Sequence, residues 1–231
     1  GGSGADTFNF GSNLTSADTI DGGAGSDILS FTDANSAATD LDKVTNIETI
    51  VLGNAATTVT TVNALVANGA TLTVNGSSLT SALVWNGSAE TDGQFVITSG
   101  SGADTITGGS GDDTITSNAG NDSLSGGAGA DTFNLGSNLT SADTIDGGDG
   151  NDTLNFTDGN SAVTDLDKVT NIETIVLGNV ATTVTTLNAL VANGATLTVN
   201  ASALTSALVW NGSAELDGNF VITSGTDRKS V

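Results

Sequence analysis

Apolar and polar side chains alternate along this chain in short runs: Ile47–Leu52, Thr57–Val62, Thr71–Val74, Ala82–Trp85 and Phe95–Thr98, then runs opening at Thr105, Thr114, Ser123, Thr132, Thr144 and Thr153. A period of two over four to six residues predicts strands. They recur every 9 to 13 residues and are separated by Gly, Asn, Asp and Ser but never by Pro, which suits either an antiparallel sandwich or a coil-by-coil solenoid. Residues 99–134 favour the solenoid, because Asp104, Asp113, Asp122 and Asp131 stand nine residues apart. Each is preceded two residues earlier by a glycine (Gly102, Gly111, Gly120, Gly129) and followed two residues later by an apolar side chain (Ile106, Ile115, Leu124, Phe133). Two stretches read instead as short helical turns that bulge from the stack: "TDLDKV" at 39–44 and "VNALVANG" at 62–69.

The chain also repeats itself at long range. "GSNLTSADTIDGG" at 11–23 returns at 136–148, and "LDKVTNIETIVLGN" at 41–54 returns at 166–179, an offset of 125 residues. Residues 1–100 and 126–225 differ at only 14 positions, most of them mild, such as Val62 against Leu187. The expected organisation is a first unit at 1–125, a second at 126–225, and a tail at 226–231 where "TDRKSV" replaces "SGADTI". About twelve half-coils separate Ile50 from Ile175, so one unit amounts to about six coils, rising roughly 29 Å at a strand spacing of roughly 4.8 Å. The chain starts inside a repeat and contains no Met, as expected of a piece of something longer.

Composition narrows the partners. Against 26 acidic residues there are four basic ones, giving a net charge of −22, and two of those four, Arg228 and Lys229, lie in the tail. A basic face for nucleic acid is therefore missing. No apolar run of about 18 residues is present to span a bilayer. With neither Cys nor His, disulfides, thiol nucleophiles, Ser-His-Asp triads and zinc sites are ruled out. So much acid on a chain of 37% hydrophobic residues calls for a counter-charge rather than disorder.

The nine-residue unit supplies a candidate. Gly108-Gly109-Ser110-Gly111-Asp112-Asp113-Thr114-Ile115-Thr116 resembles the GGxGxDxUx nonapeptide of the RTX calcium-binding family. Further matches are Gly1–Asn9, Gly22–Ser30, Gly126–Asn134 and Gly147–Asn155, with looser ones at Ser99–Thr107 and Ser117–Ser125. Hard anionic oxygens and inward carbonyls are what Ca²⁺ prefers, and glycines let the backbone approach. The resemblance implies an all-β fold, a right-handed parallel β-roll or β-helix solenoid, here with short helical excursions. It also implies that an ion lies between turns i and i+2, pairing Asp104 with Asp122 and Asp113 with Asp131, then Asp122 with Asp143 and Asp131 with Asp152. The metal-site residues it indicates are Asp6, Asp27, Gly102, Asp104, Gly109, Gly111, Asp113, Gly120, Asp122, Gly127, Gly129, Asp131, Asp143, Gly148, Gly150 and Asp152, although Asp143, like Asp18, lacks the Gly-rich turn. The competing reading makes these aspartates plain turn caps, which does not demand a ninefold register.

Three noncatalytic functions fit. The first, favoured by the near-identical long copies, is a calcium-dependent structural tandem module of a secreted bacterial cell-surface protein, in a surface layer or an adhesin stalk. The second is an accessory module of a secreted enzyme or toxin. An ice-binding solenoid is the third, disfavoured because the turn positions expected to carry Thr hold Ser101, Ser110, Ala119 and Ala128. Calcium ions, and further copies of the chain or adjoining repeat units, are the expected partners. Trp85 and Trp210 are candidates for stacking on a sugar, with core or rim packing as the plainer reading.

Overall fold

The computed structural model describes residues 1–32, 39–157 and 164–226; most of the tail lies outside them. The described residues form a parallel β-solenoid of about ten turns. Every second strand, from Thr7–Gly11 to Asn219–Thr223, joins one eleven-stranded sheet. The intervening strands make the opposite face: a six-stranded sheet running from Thr57–Thr60 to Val169–Thr170, with separate pairs Ile20–Asp21/Val44–Thr45 and Thr182–Thr185/Leu208–Asn211. Each crossover between neighbouring parallel strands is thus a strand of the other face and two turns, rather than the usual helix.

Register explains the sequence pattern. One inward column of the large sheet runs without interruption through Phe8, Leu29, Ile50, Val74, Ile97, Ile115, Phe133, Leu154, Ile175, Val199 and Ile222. Its nine interior members are wholly buried, whereas Ile222 on the last strand is 41% exposed. Across the core, Val59, Trp85, Ile106, Leu124, Ile145 and Val169 form the facing column. A slip of one residue would turn either column outward. Burying each such side chain contributes about 1.5–3 kcal/mol, and since a coil touches only its neighbours, stability is spread coil by coil. Trp85 is fully buried, edge-on to Phe95 at 5.6 Å between ring centroids, so it belongs to the core and has no face to offer a sugar.

The expected helical excursions are absent; among the described residues there is no helix. Residues 39–44 hold two i→i−3 bonds, from Asp42 N–H to the Thr39 carbonyl and from Val44 N–H to the Leu41 carbonyl, and residues 62–65 hold one, from Leu65 N–H to the Val62 carbonyl. Isolated turns of this kind do not propagate a helix against the pull of the next strand. Nor do these stretches bulge: Leu41, Val44, Leu65 and Val66 are buried in the common core.

The 125-residue repeat is commensurate with the coil. Thr49–Leu52 and Thr174–Leu177 lie six strands apart in the large sheet, so the two copies present the same face at the same height within their own coils. Even the irregularities recur: the register shifts at Gly11 and again at Gly136, with φ of 55° and 52°.

Candidate metal centre

The aspartates of the nonapeptides form two ladders along the solenoid. In each rung a carboxylate oxygen accepts the backbone N–H of the equivalent residue one coil earlier. Asp104 N–H donates to Asp122 Oδ1 (2.8 Å), Asp122 N–H to Asp143 Oδ1 (2.8 Å), Asp113 N–H to Asp131 Oδ1 (2.7 Å) and Asp131 N–H to Asp152 Oδ1 (2.8 Å). Asp6 N–H likewise donates to Asp27 Oδ1. The four pairs that the resemblance implies are therefore adjacent in space, including those across the stretched step at 136–147. All of these aspartates except Asp6 are at most 2% exposed.

The ladders occupy opposite edges. Turns 1–6, 22–27, 108–113, 126–131 and 147–152 lead into strands of the eleven-stranded sheet, whereas turns 99–104 and 117–122 and the segment ending at Asp143 lead into the six-stranded one. On the first edge each turn begins with a glycine: Gly1, Gly22, Gly108, Gly126 or Gly147. A Cβ on any of them would collide with both the Oδ2 of the aspartate closing its own turn and a carbonyl oxygen of the next coil. For Gly126 these are Asp131 Oδ2 and the Gly147 carbonyl; for Gly108, Asp113 Oδ2 and the Gly126 carbonyl. None of these five has positive φ, so what the glycine provides here is space. Gly127, Gly129, Gly148 and Gly150 play the other part, with φ between 99° and 149°, a region other residues rarely enter.

On the second edge hydroxyls fill the equivalent space. Ser117 Oγ donates to Asp122 Oδ2 in a short bond. Asp143 Oδ2 accepts both the N–H (2.7 Å) and the hydroxyl (3.1 Å) of Thr140, a local cap that accounts for this aspartate without a Gly-rich turn. Asp18 is held by Thr15 in the same way. Asp104 is the exception, for its Oδ2 and the hydroxyl of Ser99 are both buried and unpartnered.

Two observations test whether the residues suit a cation. Asp27, Asp131 and Asp152 on the glycine edge each keep a buried Oδ2 with no hydrogen-bond donor, an unfavourable state for an anionic oxygen unless something positive faces it. Burial is also the largest influence on the acidity of four ladder aspartates, pushing Asp131 up to about 7 and Asp113 up to about 6, and raising Asp122 and Asp152. Backbone N–H bonds offset part of this, and the neighbouring charges, Asp112 and Glu90 at Asp113 and Asp113, Asp152 and Asp112 at Asp131, are all carboxylates that add to it. Among the described residues no three carboxylates converge on one point. A cation between coils would therefore take one or two carboxylates and complete its shell with carbonyls, a mixture suited to Ca²⁺ and foreign to zinc.

Three acidic residues outside the nonapeptides were not legible as part of this arrangement. Glu48 Oε2 accepts Asp27 N–H and Glu173 Oε2 accepts Asp152 N–H, each at 2.7 Å, extending the glycine-edge ladder by one rung. Their signal is the tripeptide Glu-Thr-Ile, which copies Asp-Thr-Ile at 113–115. Glu90 is wholly buried beside the turn at 108–113, with Oε1 accepting Gly93 N–H and Oε2 unpartnered. By contrast Asp92 and Asp217 sit in exposed turns, each accepting from an Asn side chain (Asn68 and Asn193).

The family model of the RTX calcium-binding nonapeptide repeat matches residues 14–35, 98–136 and 139–162, in four copies. No curated protein and no solved structure matches the chain. No helix among the described residues is long and apolar enough to cross a membrane. Over those three stretches the chain is similar to the RTX calcium-binding nonapeptide repeat.

Proposed function

We propose that this chain is a calcium-stiffened structural module of a secreted bacterial cell-surface protein, a spacer or lattice element of the surface-layer or adhesin-stalk kind. The observation that carries the reading is the row of buried, donor-less Asp oxygens on the glycine edge, each facing a carbonyl of the next coil. Asp6, Asp27, Asp113, Asp131 and Asp152 would hold the ions there, with the backbone carbonyls of Gly22, Gly126 and Gly147, while Asp104 and Asp122 offer a second row. Bound calcium would supply the missing counter-charge and tie each coil to the next. The repeat length supports a tandem role: at six coils per unit, successive units continue the same sheets without a change of face.

Extracellular calcium modules bind at about 10⁻⁴ to 10⁻³ M. Such sites stay empty in the cytosol and fill outside, so an acidic, extended chain is exported first, by a type I route, and hardens afterwards. The module itself is noncatalytic.

Hydrogen exchange tests this. With millimolar Ca²⁺ the amides of Thr114, Thr132 and Thr153 should be protected. In excess chelator protection over 99–156 should collapse, with Mg²⁺ a poor substitute because of its tight octahedral demand. Equal protection in chelator and in calcium would sink the reading.

A further inference from the structure

The glycine-edge ladder ends, in both copies, on a turn that is not a nonapeptide. Thr45-Asn46-Ile47-Glu48-Thr49 and Thr170-Asn171-Ile172-Glu173-Thr174 lie outside the segments matched to the repeat family. Strand pairing nonetheless places them in register with it: Asp146 pairs with Thr170, and Thr153 with Thr174, so Gly147 faces Asn171 and Asp152 faces Glu173. Six residues, 147–152, span on one coil what three residues, 171–173, span on the next.

Two adaptations make the short turn equivalent to the long one. Asn46 and Asn171 take φ of 53° and 51° and are the only non-glycine residues with positive φ among those described. Their side chains hold them there, each Nδ2 donating at 2.7 Å to the coil before, to Asp21 Oδ1 and Asp146 Oδ1. The backbone carbonyls of Asn46 and Asn171 consequently point at the spot that a Cβ on Gly22 or Gly147 would occupy, where Asp27 Oδ2 and Asp152 Oδ2 already converge. Both of those oxygens are buried without a donor, on aspartates with no exposed surface. Glutamate replaces aspartate in the short turn, and its longer side chain still reaches the N–H of Asp27 or Asp152.

We propose that Thr-Asn-Ile-Glu-Thr is a terminal calcium half-site: the Asn46 carbonyl and Glu48 close a site with Asp27 Oδ2, and the Asn171 carbonyl and Glu173 close one with Asp152 Oδ2. The inference rests on the calcium reading above and adds two sites that the nonapeptide spelling does not predict. A merely structural role, in which the glutamates only cap an N–H, is the competing explanation. Glu→Gln separates the two, because the amide oxygen still accepts that N–H while the charge is gone.

Native mass spectrometry of the full chain at the calcium concentration that just saturates it should therefore show two fewer ions for the double variant Glu48→Gln/Glu173→Gln. The corresponding calorimetric affinity should fall about tenfold or more, as expected for losing one anionic ligand. In the unsubstituted chain the Asn46 and Asn171 carbonyl carbons should shift on adding Ca²⁺ in ¹³C NMR, a readout that does not depend on the variant folding. Unchanged stoichiometry and affinity in a folded variant, or Asn carbonyls that stay put while the nonapeptide carbonyls move, would overturn the half-site and leave the calcium reading intact. No calcium uptake by the unsubstituted chain would overturn the calcium reading itself.

Discussion

The two edges of the solenoid share backbone, spacing and aspartate, and differ at the first position of the turn. Gly108, Gly126 and Gly147 leave a space bounded by an aspartate oxygen and a carbonyl of the next coil; Ser117 and Thr140 put a hydroxyl on the equivalent oxygen. A neutral donor satisfies a carboxylate locally and permanently, whereas the space does so only when a cation arrives. The glycine edge is thus the more conditional one: Asp27, Asp131 and Asp152 keep a bare Oδ2 there, while Asp113 Oδ2 takes the Gly109 N–H, and on the hydroxyl edge Asp104 alone lacks the hydroxyl bond that Asp122 and Asp143 have.

The largest effect should come from exchanging that first residue. Gly126→Ala drives a methyl into Asp131 Oδ2 and the Gly147 carbonyl, so the site is lost and the coil is overpacked, at a cost of about 1–3 kcal/mol. Because Gly126 has no positive φ, the cost is steric. Ser117→Gly opens the second edge and should raise calcium uptake at Asp104 and Asp122 while weakening the calcium-free form. Calorimetry and thermal melts with and without calcium would show both; if Gly126→Ala binds and melts like the parent, the space has no role.

A smaller, sign-changing effect is expected from Asp→Asn on the two edges. Asp131→Asn keeps an oxygen for Asp113 N–H but removes a desolvated charge, so the calcium-free protein should melt higher and the calcium-loaded protein lower than the parent. Asp143→Asn faces an amide against the Thr140 N–H and should cost about 1 kcal/mol, with or without calcium. Equal behaviour of the two variants in a pair of melts would erase the distinction between the edges.

How much of this could be read from the chain follows from what its periodicity encodes. A spacing of nine marks strand and turn together, so Ile115 and Phe133 could be assigned to the core without coordinates, and the family resemblance added the pairing of Asp113 with Asp131. The difference between Gly108 and Ser117 is equally visible, but its meaning is not, since it depends on a carbonyl contributed by the next coil about 18 residues later. Glu48 and Glu173 escaped because they break the spacing: a turn shortened around an αL asparagine restores register by geometry that the nonapeptide does not spell, while Glu90 escaped because it stands in no nonapeptide at all. Leu41, Val44 and Leu65, spaced like helix positions, pack as coil residues because the strand on either side dictates the path of the chain.

The smallest effect concerns protons standing in for calcium. In the calcium-free protein burial holds Asp131 at about 7 and Asp113 at about 6, and raises Asp122 and Asp152, all above the ordinary carboxylate value of 3.8. The folded chain then retains protons that the unfolded chain has already released, so stability falls with rising pH through the window from about 4 to about 7. Below that window the buried oxygens are protonated in both states and the contribution is fully present; above it they are bare in both and it is gone. Calcium-free protein should accordingly melt higher at pH 5 than at pH 8, and Asp131→Asn should flatten the slope. Saturating calcium should reverse it, because the ion binds the deprotonated oxygens and competes with the proton. The hydroxyl edge contributes through Asp122, whose Ser117 bond works against the shift, so Asp122→Asn should flatten the profile less than Asp131→Asn does. A calcium-free profile that instead rises from pH 5 to pH 8 would mean the glycine-edge carboxylates meet a positive partner, or open water, in solution, and the contrast between the two edges would fall with it.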